Sequence, residues 1–178
     1  MPFIETTISN EIVYDGPIFR IRKHRVNTVG GKTSVRDVLE HGGGAIMIPL
    51  LDDGRIILER QFRKAIEDVI FELPAGKRDQ GETFEETAMR ELKEEVGYEP
   101  RTVKFLTSIY PSVGYSSERL DIFLCSELSA VERSLDEGED IDLMVFEVDE
   151  VIEMIKNREI KDAKTVSGIL LARAMELI

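Results

Sequence analysis

The chain has 178 residues, of which 42% are hydrophobic, and it carries a formal net charge of −12. This length suits a single domain with an ordinary hydrophobic core, and the composition excludes a disordered chain. Because affinity for nucleic acids comes from lysines and arginines that neutralise phosphates, the acidic balance argues against a nucleic-acid-binding protein.

The sequence lacks the features of membrane and secreted proteins. It has no run of about 18 apolar residues, so no membrane span is expected. Its first residues lack the basic and apolar regions of a secretory signal. Cys125 is the only cysteine, and its place in the apolar run LDIFLC is typical of a small core residue. These observations predict a protein of the reducing cytoplasm.

The first third of the chain has a β pattern. Residues 11–26 read as two strands broken at Asp15-Gly16-Pro17, and residues 33–41 continue as a third strand after the turn at Gly30-Gly31. The segment 42–62 is expected to form a hairpin of two apolar runs. They join at Asp52-Asp53-Gly54, where the glycine supplies the positive φ that a tight turn needs.

Strands and helices are mixed in the rest of the chain. A short strand over residues 69–76 runs into a loop at Pro74, and further strands are predicted at 102–111, 118–128 and 142–149. Helices are predicted at 84–96, 149–157 and 163–177. Because strands and helices do not alternate regularly, the pattern predicts an α+β fold with a mixed sheet between helices rather than a parallel doubly wound sheet.

The helix at 84–96 has clear ends and a clear core face. Thr83 and Glu86 fit a capping box, and Gly97 provides the stop. At about 100° per residue, four apolar side chains gather on one stripe that is expected to face the core. These are Ala88, Met89, Leu92 and Val96.

Three glutamates, Glu91, Glu94 and Glu95, follow one another along an arc beside that stripe. On an ordinary acidic helix they would be solvated surface residues, because like charges at this spacing cost only a few tenths of a kcal/mol. Here a glycine loop precedes the helix, Glu82 lies at its start, and Arg90 directly precedes Glu91. Hard oxygen ligands close together are what Mg²⁺ requires, so the cluster predicts a divalent metal site.

The stretch GKRDQGETFEETAMRELKEEVGY, residues 76–98, resembles the box of the Nudix hydrolases, G-x5-E-x7-R-E-U-x-E-E-x-G-U, where U is a bulky apolar residue. All nine fixed positions are occupied in order, by Gly76, Glu82, Arg90, Glu91, Leu92, Glu94, Glu95, Gly97 and Tyr98. The resemblance implies an α/β/α sandwich on a mixed sheet. It also implies a hydrolase of nucleoside diphosphates linked to another group.

The same resemblance implies roles for individual residues. Glu91 and Glu95 would be the principal ligands of Mg²⁺, with Mn²⁺ as a substitute metal, and Glu94 would join when more than one metal binds. The carbonyl of Ala75 would complete the set, and Arg90 would orient Glu91. A pyrophosphate repels an attacking water, and cations that neutralise it and position the water answer that need. A surface ion pair is the other interpretation of Arg90.

The flanking segments look like the ADP-ribose pyrophosphatase branch over about residues 10–170. In that branch an Arg-Glu pair on an early strand and the arginine of a QYR element meet the substrate, and Arg36 with Asp37, and Arg63, stand at those positions. Glu118 matches a glutamate that faces the substrate or metal. The planar fork of an arginine suits paired phosphate oxygens. Ordinary surface arginines are the other interpretation of Arg36 and Arg63.

Glu72 lies beside the metal loop, where a strand delivers its last side chains. One departure from the branch concerns the loop after the box, where Val113 stands in place of the usual proline. This leaves other ADP-sugars and GDP-mannose open as substrates.

A carboxylate that holds or activates water is expected from the acidic loop LDEGEDIDLMVF. The resemblance favours Glu137, with Glu139 as the alternative, and a loop base would complete the site only when it closes over substrate. An acidic surface turn is the other interpretation of this loop.

Residues 1–40 form an N-terminal β segment outside the predicted Nudix domain of residues 41–178. In the branch that this chain resembles, such a segment exchanges between two subunits, which implies a homodimer. Phe19 and Tyr14 are candidates for stacking on adenine, and aromatic residues of the core are the other interpretation.

The leading prediction is therefore a metal-dependent enzyme that cleaves ADP-ribose to AMP and ribose 5-phosphate. A hydrolase of another nucleoside-diphosphate sugar is the alternative. A sensor that binds nucleotide sugars without cleaving them would have no use for the carboxylates, all of which are kept. A hydrolase of oxidised nucleoside triphosphates is disfavoured by the N-terminal segment.

Overall fold

The computed structural model describes residues 3–178; residues 1–2, at the start of the predicted N-terminal segment, lie outside the described part. The chain divides into two compact units. The first combines the residues up to Gly43 with the segment Tyr110–Arg119, and the second comprises Gly44–Ile109 and Leu120–Ile178. The sequence-based boundary after residue 40 lies near Gly43, but the sequence did not assign Tyr110–Arg119 to the first unit.

The first unit contains an antiparallel sheet of three strands in the order β1-β2-β3. The strands are β1 (Thr6–Asp15), β2 (Arg20–Asn27) and β3 (Thr33–Glu40). The predicted break at Asp15-Gly16-Pro17 and the turn at Gly30-Gly31 both separate strands as expected, and Gly31 has a φ of +75°. Every residue of β1 is exposed, including Ile8, Ile12 and Tyr14.

The second unit contains two sheets and all the helices of the described residues. The strands are β4 (Gly44–Pro49), β5 (Ile56–Arg63), β6 (Asp68–Glu72), β7 (Ala75–Lys77), β8 (Tyr98–Ile109), β9 (Leu120–Ala130) and β10 (Ile141–Phe146). One sheet has the order β7-β4-β9-β8, and the other has the order β10-β5-β6. The β4 and β9 strands are parallel whereas their other neighbours are antiparallel, so the larger sheet is mixed, as predicted.

The expected hairpin over residues 42–62 is wrong. The turn at Gly54 forms with a φ of +88°, and the Leu51 amide donates to the Arg55 carbonyl at 2.8 Å across it, beside a bridge between Leu50 and Ile56. Beyond that turn, β4 and β5 belong to different sheets. All of β4 is buried, and so are the first four residues of β5, whereas the second half of β5 is exposed or half-buried. β4 pairs with β7 and β9, and β5 pairs with β6 and β10, so each strand has at least one partner distant in sequence that local patterning does not reveal.

The helices are α1 (Phe84–Glu91), continued by a π-helical turn (Leu92–Val96), α2 (Val148–Lys156) and α3 (Ala163–Ala174). The capping box of Thr83 and Glu86 forms, and Gly97 ends the π-helical turn with a φ of +75°. Met89 was wrongly assigned to the core face, because its side chain is 39% exposed. Thr87 is fully buried instead.

Alternating side chains of the mixed sheet supply two hydrophobic layers. Ala45 and Met47 of β4 pack in a cluster with Leu92 beside α1. Ile46 and Ile48 point the other way, into a cluster with residues of α2 and α3. This arrangement is an α/β/α sandwich. None of the helices in residues 3–178 is both long and apolar enough to cross a membrane.

Candidate active site

The glycine-rich stretch folds as β7, a loop and α1. Glu82 accepts hydrogen bonds from the Asp79 amide at 3.1 Å and from the Thr87 hydroxyl at 2.9 Å, so this carboxylate closes the loop onto the first turn of the helix. The capping box holds the same turn from the other side, since the Thr83 amide donates to the Glu86 carboxylate at 2.7 Å. The loop is thereby fixed against the start of α1.

Arg90 is the centre of an ion-pair network. Its Nε and Nη2 donate to the two oxygens of Glu82 at 2.8 and 3.0 Å. Its Nη1 donates to Glu91 Oε1 at 2.8 Å and to Glu94 Oε2 at 3.0 Å, and Nη2 also donates to the Lys77 carbonyl at 3.1 Å. The Arg90 guanidinium lowers the pKa of Glu82 to about 2. Arg90 therefore anchors to Glu82 and holds one oxygen each of Glu91 and Glu94.

Glu95 is a buried carboxylate without a complete set of partners. It is 7% exposed, and its Oε2 has no hydrogen-bond partner within the described residues. Burial, together with the negative charges of Glu59, Glu91 and Glu139, raises the pKa of Glu95 to about 9. A buried oxygen of this kind is costly unless it receives a proton or a cation.

Glu59 is a second buried carboxylate, which was not predicted from the sequence. It is 1% exposed, and its Oε1 also lacks a partner in residues 3–178. Burial and the neighbouring Glu72 raise the pKa of Glu59 to about 7. Strand alternation is the signal that could have indicated its burial, because residues two apart in a strand share a face. Ile57 lies two residues before Glu59 in β5 and is buried in the cluster beside α1.

The surroundings of Glu91 fit a divalent cation. A Cβ added at Gly76 would lie only 1.8 Å from the Glu91 carboxyl carbon, so the glycine makes room for that carboxylate. Burial raises the pKa of Glu91 despite the nearby Arg90, and a cation would offset that cost. The donors are hard oxygens, which suit Mg²⁺ or Mn²⁺. Across the described residues, however, no three His, Cys, Asp or Glu side chains are grouped as ligands of one ion.

The other predicted metal ligands lie along this stretch. Ala75 is the first residue of β7 and registers with Ile46 of β4. Glu94 and Glu95 lie within the π-helical turn, which widens the spacing that an α-helix would give to these carboxylates. Such turns are frequent at functional sites.

Arg63 lies at the end of β5 and is joined to the buried Glu72 of β6. Its Nε donates to Glu72 Oε1 at 2.6 Å, and the Arg63 side chain is 42% exposed. The other oxygen of Glu72 accepts from Lys164 of α3. Lys164 was also not foreseen from the sequence.

The acidic loop brings one of its two predicted carboxylates toward the cluster. Glu139 is half-buried, and its charge contributes to the raised pKa values of Glu91 and Glu95. Glu137 is exposed.

The remaining predicted substrate-binding residues belong to the first unit. Arg36 donates to both carboxylate oxygens of Glu5, at 3.0 Å through Nε and 2.5 Å through Nη2, and the adjacent Asp37 is exposed. Glu118 lies 3.6 Å from His41 Nδ1. The rings of Phe19 and Tyr14 are 5.4 Å apart at a tilt of 40°. The first unit thus contains an arginine, carboxylates and an aromatic pair, each in its own local contacts.

Residues 40–167 match the NUDIX domain. The chain belongs to the Nudix family. This Nudix chain is 38% identical over 167 residues to the ADP-ribose pyrophosphatase of Bacillus subtilis. The matched region covers 93% of the chain and 90% of that relative. The chain is also 34% identical over 178 residues to the methanol dehydrogenase activator of Bacillus methanolicus, covering 99% of the chain and 96% of that relative.

A solved structure titled as an ADP compounds hydrolase has the same fold. It superimposes with a TM-score of 0.85 at 24% identity, covering 96% of the Nudix chain and 93% of that structure. This likeness confirms the predicted mixed-sheet sandwich with its N-terminal antiparallel sheet.

Proposed function

We propose that this Nudix protein hydrolyses the pyrophosphate bond of ADP-ribose to give AMP and ribose 5-phosphate. The observation that carries the proposal is the buried, unpartnered Glu95 oxygen beside the Glu91 carboxylate for which Gly76 makes room. A protein that only bound nucleotide sugars would have no reason to bear the cost of these buried carboxylates. The similarity to an ADP-ribose pyrophosphatase over most of both chains supports the choice of substrate.

The metal of the proposed reaction is Mg²⁺, with Mn²⁺ as a substitute. Glu91, Glu95, Glu94 and the Ala75 carbonyl would hold it, and it would neutralise the pyrophosphate and acidify the attacking water. Arg90 keeps one oxygen each of Glu91 and Glu94 in place and leaves the other oxygen of each carboxylate for a cation.

We assign water activation to the acidic loop. Glu139 is the better supported residue, because it is half-buried and its charge acts on Glu91 and Glu95. Glu137 is the second candidate, since a loop that closes over substrate would bring exposed carboxylates inward. Activity of Glu139→Gln and Glu137→Gln separates the two assignments.

Substrate contacts are proposed for residues of each unit, taken separately. The guanidinium of Arg63, whose side chain is 42% exposed, is suited to the pyrophosphate, because its planar fork matches paired phosphate oxygens. In the first unit, Arg36, Asp37 and Glu118 supply polar contacts to the nucleotide sugar, and Phe19 offers a ring for adenine. The Phe19 contact would be a stacking interaction.

The protein is proposed to act as a cytoplasmic homodimer. The strand β1 carries Ile8, Ile12, Val13 and Tyr14 at 46–54% exposure, and a second copy that covers this strand would remove their apolar surface from water. Light scattering of the purified protein measures the oligomeric state.

The test is product analysis after the protein and Mg²⁺ are incubated with equal amounts of ADP-ribose, ADP-glucose, GDP-mannose and NADH. We expect AMP and ribose 5-phosphate as the leading products. Val113, which is 78% exposed, stands where the branch usually carries proline, and preferential cleavage of GDP-mannose would overturn the assignment of ADP-ribose. Absence of product from all four compounds would favour a sensor.

A further inference from the structure

Glu72 is a buried carboxylate shared between two cations. It is 2% exposed, and its two oxygens accept from different partners: Oε1 from Arg63 Nε at 2.6 Å, and Oε2 from Lys164 Nζ. Because a buried carboxylate needs compensation for its lost hydration, Glu72 has a strong demand for these hydrogen bonds. Each cation occupies one of the two oxygens.

Lys164 is held where it can serve this purpose. Its side chain is only 12% exposed, and Nζ also donates to Asp162 Oδ2 at 2.9 Å. Asp162 is the N-cap of α3 and accepts from the Thr165 amide at 3.0 Å. Lys164 is therefore part of the hydrogen-bonded N-terminus of α3 rather than a mobile surface lysine.

The same helix start is fixed to the strand that carries Glu72. The Leu73 amide donates to the Thr165 hydroxyl at 2.7 Å, and both residues are fully buried. Gly168 of α3 packs so closely that an added Cβ would lie 2.9 Å from Leu73 Cδ1. The distance between the start of α3 and Glu72 is thus set by the backbone and the core.

The division of Glu72 between two cations leaves most of Arg63 available. Within the described residues, Arg63 donates to Glu72 through Nε, and its two Nη groups donate no hydrogen bond. The Arg63 side chain is 42% exposed, whereas that of Glu72 is 2% exposed. Arg63 is anchored at Nε, and both Nη groups remain as donors for an anion, although the charges of Glu95 and Glu59 also act on the guanidinium.

We propose that Lys164 is a positioning residue for substrate binding: it occupies one oxygen of Glu72 and so prevents that carboxylate from taking both an Nε and an Nη of Arg63. This inference rests on the proposed function, in which Arg63 contacts the pyrophosphate. Without Lys164, the buried carboxylate turns to its remaining cation. Arg63 then pairs with Glu72 through two nitrogens and loses part of the fork that receives phosphate oxygens.

The expected defect is one of binding rather than of chemistry. A contact made equally to substrate and transition state changes KM and leaves kcat unchanged. Lys164→Met should therefore raise KM for ADP-ribose about tenfold, the effect of one lost charge-assisted hydrogen bond, with kcat within about twofold of wild type. Lys164→Arg should restore the wild-type KM, since it supplies a cation to the same oxygen.

The experiment measures kcat and KM for ADP-ribose with saturating Mg²⁺ in wild type, Lys164→Met, Lys164→Arg and Arg63→Ala. It also includes the double variant Lys164→Met/Arg63→Ala. Because Lys164 acts through Arg63, the lysine substitution should not raise KM further once Arg63 is gone. Lys161→Met is the matched control, since Lys161 is an exposed lysine three residues earlier. Calorimetry with ADP-ribose in EDTA gives a second measure of binding, with no turnover involved.

Each outcome decides the matter. An unchanged KM in a folded Lys164→Met overturns the inference, as does an equal KM increase in the Arg63→Ala background. If Lys164→Met does not fold, Lys164→Gln carries the same test, because its amide donates to Glu72 without a charge and should raise KM to a smaller extent. Wild-type protein that neither cleaves nor binds ADP-ribose instead overturns the proposed function and this inference with it.

Discussion

Substitution of Gly76 by alanine tests how closely the loop backbone must approach the candidate metal-binding carboxylate. The added Cβ would lie 1.8 Å from the Glu91 carboxyl carbon, where ordinary contact begins near 3.4 Å, so the carboxyl group must move by about 1.6 Å. A displacement of about 1 Å at a catalytic group costs on the order of 100-fold in rate. We therefore expect kcat/KM of Gly76→Ala to fall at least about 100-fold.

The stability of the same variant should change little, because Glu91 is at the end of a flexible side chain and can move away. The assay pairs ADP-ribose turnover with thermal unfolding. Gly30→Ala is the control, since a Cβ at Gly30 meets nothing within 4 Å. Turnover of Gly76→Ala within a factor of about three of wild type would refute the placement of Glu91 at the reacting centre.

Three further predictions concern individual polar side chains. Glu95→Gln should reduce turnover at least about 1,000-fold while metal-free unfolding is unchanged, since a pKa of about 9 already keeps Glu95 protonated at pH 7; a clear loss of metal-free stability would contradict this. Thr165→Val should lower the unfolding free energy by about 1–3 kcal/mol in urea, because it leaves the buried Leu73 amide without an acceptor; an unchanged value would dismiss that bond. Glu82→Gln should lower Tm at pH 6, and the Tm difference from wild type should shrink as pH falls from 4.5 toward 2. The folded pKa of Glu82, about 2, lies below the ordinary value of 4.5. The stabilisation is therefore fully present above pH 4.5 and is lost as Glu82 becomes protonated. A Tm difference that grows on acidification would contradict this prediction.

Much of the candidate site could be predicted because it lies in one continuous stretch. The positions of Glu82, Arg90 and Glu91 follow from a loop and one helix, whose cap and stop are local signals. The sequence also placed Ala88 and Leu92 in the core correctly. Local rules do not report a π-helical turn, so the altered spacing at Glu94 and Glu95 was not foreseen.

The parts that were missed depend on contacts between distant segments. Glu59 becomes a candidate site residue because β5 pairs with β6, which places Glu59 opposite Glu72. Lys164 reaches Glu72 across 92 positions of sequence. The false hairpin has the same origin, because β4 and β5 choose partners that no local pattern specifies.

The most direct test of the proposed function is phosphorus NMR of product formation from ADP-ribose and Mg²⁺, run in parallel for wild type and Glu95→Gln. The proposed chemistry predicts that the pyrophosphate signals of ADP-ribose are replaced by those of AMP and ribose 5-phosphate in wild type. The signals should persist in Glu95→Gln and in wild type treated with EDTA. Equal conversion by wild type and Glu95→Gln, or intact ADP-ribose after prolonged incubation with wild type, would contradict the account.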